Sequence, residues 1–141
     1  MSNDIDRIRA VETVRASIAA SIRLREGLLH GESIGEAMIE AIESGAPVSE
    51  SVGASGEDAA AVRVSMHDLL EDFEHARHRM RIAFMLPSLD EGMSISAIGR
   101  TLGISRQLAA RLVHEAREVA EAHALPESAG DAVSDEAVHA R

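Results

Sequence analysis

Apolar residues recur at heptad spacing over residues 62–83, and this feature constrains the fold more than any other part of the sequence. The steps alternate between four and three residues through Val62, Met66, Leu69, Phe73, Ala76, Met80 and Ala83. Such spacing places every member on one stripe of an α-helix, as in a two-stranded coil or a helical bundle. It predicts a long helix from about Glu57 to about Leu86, ended by Pro87. The stripe pairs either with a second copy of the chain or with other helices of the same chain.

Two further helices are predicted within residues 1–45. The segment Ile5–His30 has one apolar side, formed by Ile8, Val11, Val14, Ile18, Ile22 and Leu29. Gly31 supplies a stop, and Ser33 with Glu36 has the spacing of a capping box for a second, shorter helix. We therefore expect an antiparallel N-terminal pair. The small and turn-forming residues of 46–57 then predict a flexible linker.

Residues 93–117 predict two short helices that meet at Gly103. The first carries an apolar stripe of Ile95, Ile98 and Leu102, and Ser94 ahead of it is placed to cap its first turn. Gly103 provides the left-handed backbone that ends this helix. Ser105 is placed to cap the second helix, whose buried face is predicted to hold Ala109, Leu112 and Ala116.

The outer face of that second helix is rich in arginine. Its outward positions are Ser105, Arg106, Gln107, Ala110, Arg111 and His114. The glycine, the apolar spacing, the cap and the arginine-rich face together resemble a DNA-binding helix-turn-helix of transcription regulators. The stretch Ile98–Arg111 is also similar to the promoter-reading segment of sigma factors. The resemblance covers about 25 of the 141 residues.

The resemblance implies that these six outward side chains face base edges in the major groove. Arg106 and Arg111 have the guanidinium fork that suits guanine, and Gln107 has the paired donor and acceptor that suit adenine. Arg100, Thr101 and Arg117 are better placed for phosphates. No sequence for a β-hairpin wing follows the second helix.

Charge is distributed unevenly along the chain. The formal net charge is -10. Residues 75–117 nevertheless hold seven arginines against three acids, a balance of +4, whereas residues 1–74 carry six arginines and fifteen acids, or -9. The remaining residues, 118–141, carry one arginine and six acids, or -5. Because an acidic chain repels nucleic acid at long range, we expect a specific DNA binder with weak affinity for random sequence.

Composition excludes several classes of function. Phe73 and Phe84 are the only aromatic residues, which argues against stacking on single-stranded nucleic acid. The absence of cysteine excludes disulfides and thiolate metal sites. Neither a membrane span nor a signal-peptide pattern is found, so we expect a cytoplasmic protein located at the nucleoid. All basic residues are arginine, which is compatible with a GC-rich bacterial genome.

Chemistry of other kinds has little support in the sequence. No nucleophile, base and acid combine convincingly, and no glycine loop for phosphates is present, so we expect neither enzyme activity nor a cofactor. A metal site is an alternative use of four residues that project from one side of the long helix, His67, Glu71, His75 and His78. The same residues also fit a solvated helix face.

The sequence thus predicts an all-α protein in four parts. These are an N-terminal helical hairpin for dimerisation or partner binding (1–45), a linker (46–57), a long helix with the helix-turn-helix (58–124), and an acidic, disordered tail (125–141). The expected function is sequence-specific binding of double-stranded DNA, as a homodimer on a palindromic operator. The alternative is a helical protein-interaction module, such as a partner of the transcription machinery or an antitoxin-like neutraliser, in which the acidic N-terminal helices bind another protein.

Overall fold

Five helices form the part of the chain that the computed structural model describes, residues 2–124. They are α1 (Ser2–Glu43), α2 (Val48–Ser51), α3 (Ala59–Asp90), α4 (Ile95–Leu102) and α5 (Arg106–Ala124). The prediction of an all-α fold is confirmed. The predicted acidic tail and the expected absence of a wing fall outside these residues. Within them, no helix combines the length and the apolar character needed to cross a membrane.

The predicted N-terminal helical pair is wrong, because α1 runs without a break from Ser2 to Glu43. A glycine inside a helix costs only about 1 kcal/mol relative to alanine, so Gly31 does not by itself end the helix. Beyond it, Ile34 and Met38 line a groove with Val62 of α3. These apolar contacts hold the second half of α1 against α3, and helix continues where the sequence predicted a turn.

The heptad stripe of α3 packs on α1 of the same chain. All seven of its residues are half-buried, and α1 runs antiparallel to α3 along its length. A Cβ built on Gly27 would overlap Leu69 Cδ1, so the two helices approach closely there. At the far end of the pair, His30 Nε2 lies 2.9 Å from Glu57 Oε1. The sequence allowed the stripe to pair with a second copy of the chain or with other helices of the same chain. In the structure it packs on a helix of the same chain.

The side of α1 that faces α3 is not its apolar side. Thr13 and Ala20 are the buried side chains of α1, whereas five of the six residues of the apolar side are exposed: Ile8, Val11, Ile18, Ile22 and Leu29. Small side chains on the inner face let the helix axes come close, as the Gly27 contact shows. The large aliphatic side chains consequently point away from α3.

Two boundaries also differ from the prediction. Pro87 does not end α3, which continues to Asp90. Proline inside a helix costs roughly 3 kcal/mol, but Leu86 and Leu89 on either side pack against the apolar core and offset that cost. The predicted linker, 46–57, contains the helical turn α2, in which Ser51 is fully buried.

Candidate nucleic-acid interface

A sharp turn joins α4 to α5. Ser94 begins α4, and its side chain accepts a hydrogen bond from the amide of Ala97 at 3.2 Å. Gly103 ends the helix in the left-handed region, at φ 65° and ψ 32°. Glycine adopts this conformation without the steric cost that a Cβ brings. The cap and the glycine therefore occupy the positions that the sequence predicted for them.

The turn is closed by backbone hydrogen bonds and by a second cap. The amide of Ile104 donates to the carbonyl oxygen of Gly99 at 2.9 Å. Ser105 Oγ accepts from the amide of Leu108 at 3.1 Å and so satisfies one of the free donors of the first turn of α5. In this hydrogen bond the Ser105 hydroxyl acts as the acceptor. Its own proton stays available to donate to an acceptor outside the protein.

One face of α5 is anchored in the principal core of the described residues. Ala109, Leu112, Val113 and Ala116 are buried, and the last three pack with Met85 of α3 and Ile98 of α4. Val113 was not among the residues predicted to be buried, and Leu102, expected on the apolar stripe of α4, is exposed. A close-packed base of this kind fixes the direction in which the opposite face of α5 points.

The predicted base-facing residues are all exposed. Their side chains lie at the start and on the outer side of α5, and they are Ser105, Arg106, Gln107, Ala110, Arg111 and His114. The three residues predicted to meet phosphates are exposed as well: Arg100 and Thr101 in the last turn of α4, and Arg117 farther along α5. Within residues 2–124, none of the four arginines in these sets forms an ion pair.

Charge changes sign along α5. Its first nine residues, 106–114, contain two arginines and no acid, whereas residues 115–124 contain one arginine and three glutamates. His114 stands at this boundary, with Nε2 3.5 Å from Glu118 Oε1. The positive end of the helix dipole thus coincides with the acid-free half. An anion approaching α5 is attracted to the turn after Gly103 and repelled by the far end of the helix.

A contact between α3 and α5 escaped the sequence analysis. His78 Nε2 lies 2.8 Å from Glu115 Oε1, and both side chains are half-buried. The two residues are 37 positions apart, and no local pattern in the sequence links one to the other. Asp6 and Thr13 of α1 also line one pocket together with Val119 of α5.

The histidines of α3 do not form a metal cluster. His67 Nε2 is 3.9 Å from Glu71 Oε2 on an exposed surface, and His78 turns to Glu115. The remaining candidate, His75, is exposed. Over residues 2–124, no three histidine or carboxylate side chains are grouped so as to hold a metal ion.

No protein-family model, curated protein or solved structure matches this chain.

Proposed function

We propose that this protein is a sequence-specific regulator of transcription that binds double-stranded DNA through α4 and α5. The proposal depends chiefly on one observation, the arrangement of α5. The exposed, acid-free half of this helix begins at the capped N-terminus, and the opposite face of the helix is packed in the core. Proteins with a helix-turn-helix place the N-terminal residues of the second helix against base edges. The arrangement of α5 supports that mode of binding.

Within this proposal the exposed residues divide into two roles. Arg106 and Arg111 donate to guanine, and Gln107 pairs with adenine. Three smaller or neutral side chains, Ser105, Ala110 and His114, border them in the groove. Arg100, Thr101 and Arg117 bind phosphates on either side and set the position of α5 on the duplex without reading its sequence.

The acidic remainder of the chain favours specific over general binding. A formal net charge of -10 opposes approach to arbitrary DNA, so stable binding requires the base contacts in addition to phosphate contacts. A homodimer reading a palindromic operator gains affinity by presenting two copies of α5. Such a protein acts at the nucleoid of a bacterial cytoplasm.

The direct test is selection of bound fragments from random duplex DNA, followed by fluorescence anisotropy with the selected sequence. We expect one enriched motif with two inverted half-sites, and affinity that falls steeply with salt because phosphate contacts release counterions. Enrichment of no sequence, with no binding at low salt, would overturn the proposal. A fragment with scrambled half-sites is the matched control.

A protein-interaction module is the second candidate. The exposed glutamates in the C-terminal half of α1 favour it, since they present a row of negative charge far from α5: Glu32, Glu36, Glu40 and Glu43. In that case the protein binds a basic partner and shows no affinity for duplex DNA even at low salt. The anisotropy measurement therefore separates the two functions.

A further inference from the structure

The side of α1 that points away from α3 carries a long apolar stripe. Its members recur at heptad spacing and are Ile8, Val11, Ile18, Ile22, Leu29 and Ile39. Their exposed fractions lie between 41% and 60%. At 1.5 Å per residue the stripe is about 46 Å long. A row of exposed aliphatic side chains along one face of a helix is typical of an interaction surface.

Charged residues fill the remaining heptad positions of this stripe, and their order identifies the partner. Arg15 lies in the first half of the stripe and Glu32 and Glu36 in the second, while Arg25 lies just past its middle, and all four are exposed. The stripe is thus basic toward one end and acidic toward the other. A surface of this kind is complementary to itself only when it is turned end for end.

We propose that α1 is the interface of a homodimer in which two copies pair antiparallel through this stripe, with the twofold axis between Arg23 and Leu24. In this register Arg15 lies opposite Glu32 of the second copy, and Ile18 lies opposite Leu29. The outer positions bring Ile8 opposite Ile39. Each match occurs twice, because the axis relates the two halves of the interface.

The other positions fit the same register. Arg25 lies opposite Ile22, where its aliphatic stem covers the isoleucine while the guanidinium reaches water. Glu36 lies opposite Val11, one helical turn from Arg15 of the same partner helix. Asp4 and Glu43 meet at the two ends of the interface, where water and salt screen their repulsion.

Other pairings of the two helices place like charges or mismatched residues together. In a parallel pair each residue faces its own copy, so Arg15 meets Arg15 and Glu32 meets Glu32. A shift of the antiparallel register by seven residues in one direction sets Arg15 opposite Arg25. The opposite shift sets both Ile18 and Val11 against glutamates. Like charges directly opposed across an interface disfavour the parallel pair and the first shift, whereas the opposite shift is disfavoured because it separates Arg15 from Glu32 and sets more apolar residues against glutamates.

The proposed dimer also places the two DNA-binding units apart. Thr13 of α1 and Val119 in the C-terminal half of α5 line one pocket. Antiparallel pairing separates the two copies of Thr13 by about 32 Å along the α1 axis. The biological role of this dimer rests on the proposed function, whereas the existence of the dimer is tested without DNA.

Sedimentation equilibrium of the full chain tests the pairing first. We expect a species of twice 15.0 kDa that dissociates on dilution. Ile18→Asn removes an apolar contact at two places and is expected to raise the dimer dissociation constant roughly tenfold or more. Val64→Asn on α3, which is exposed to a similar extent, is the matched control and leaves the constant unchanged. The proposal is overturned if the wild-type chain is monomeric over a 100-fold range of concentration that extends to its solubility limit.

Charge reversal tests the register. Arg15→Glu and Glu32→Arg each place like charges opposite one another and are expected to weaken the dimer by roughly tenfold or more, whereas the double variant restores it. Arg23→Glu, an exposed reversal away from the stripe, is the control. Circular dichroism verifies that each variant remains helical. Failure of the double variant to restore the dimer contradicts the proposed register.

Cysteine cross-linking tests the orientation, because the chain contains no native cysteine. In the antiparallel pair a mixture of Ile18→Cys and Leu29→Cys chains forms mixed disulfides. Ile18→Cys alone does not cross-link, since its two copies are about 16 Å apart along the axis, beyond the reach of a disulfide. Efficient cross-linking of Ile18→Cys alone indicates a parallel pair and overturns the proposal. DNA binding by a monomeric variant would leave the proposed function standing without this interface.

Discussion

The carbonyl oxygen of Ile104 lies 3.1 Å from the position that a Cβ would occupy on Gly99. The amide of the same residue donates to the carbonyl oxygen of Gly99 at 2.9 Å. Two backbone segments therefore contact each other directly at the turn between α4 and α5. A side chain at position 99 has no flexible neighbour that can move aside, since the nearest atoms belong to the backbone of residues 104–106.

Gly99→Ala is expected to lower the free energy of unfolding by about 1–3 kcal/mol, because the added methyl group overpacks this crossing. Urea denaturation followed by circular dichroism measures the effect. Gly31→Ala in the middle of α1 is the control, since no atom lies within 4 Å of its added Cβ. There the better helix propensity of alanine is expected to stabilise the protein by about 0.5–1 kcal/mol. Equal effects of the two substitutions would contradict the close approach at Gly99.

Substitutions of Ser105 separate folding from DNA binding. Ser105→Ala removes the acceptor for the Leu108 amide and is expected to cost about 0.5–2 kcal/mol of stability. Ser105→Asp keeps a capping oxygen, so stability is retained, but its carboxylate repels phosphates and lowers affinity for DNA. Thermal denaturation and anisotropy measure the two properties. Loss of stability in Ser105→Asp comparable to that in Ser105→Ala would contradict the capping role.

Arg111→Ala is expected to abolish discrimination at one base pair of the selected operator, a loss of about 1–3 kcal/mol, with the fold intact. Arg100→Ala is expected instead to weaken binding to all sequences alike and to reduce the salt slope by about one. Competition anisotropy with single-base variants of the operator distinguishes the two outcomes. Sequence preference that survives Arg111→Ala would remove this residue from the base-reading set.

Met85→Ala tests the contact of α3 with α4 and α5. The side chain is fully buried among Ile98, Leu112 and Val113, so its truncation leaves a cavity and is expected to cost about 2–5 kcal/mol. Val64→Ala on the exposed side of α3 is the control and is expected to change stability by less than about 0.5 kcal/mol. Denaturant titration of both variants checks the difference. A small effect at Met85 would mean that the core tolerates the cavity by collapse.

Local signals in the sequence were sufficient for α4 and α5. The caps at Ser94 and Ser105 and the left-handed backbone at Gly103 depend on near neighbours, and the structure contains all three. Neither the use of these helices in DNA binding nor the role of any single arginine follows from that agreement. Those roles remain predictions for the experiments above.

Long-range packing decided the features that the sequence analysis missed. Gly31 destabilises a helix locally, but contacts between α1 and α3 keep α1 helical beyond this residue. The apolar side of α1, which includes Ile8 and Ile18, is evident from the sequence. The pattern of one helix does not reveal whether such a face meets the same chain or another molecule. The His78–Glu115 contact likewise joins distant residues without any periodic signal.

The inner face of α1 has a consequence for how the folded protein is maintained. With Thr13 and Ala20 turned toward α3, a single folded chain leaves most of the large aliphatic side chains of its longest helix in water. In the proposed homodimer, folding of one chain and association of two depend on the same helix, so the free energy of unfolding is expected to rise with total protein concentration by mass action. The proposed pairing thereby links the folded fraction to the number of copies in the cell.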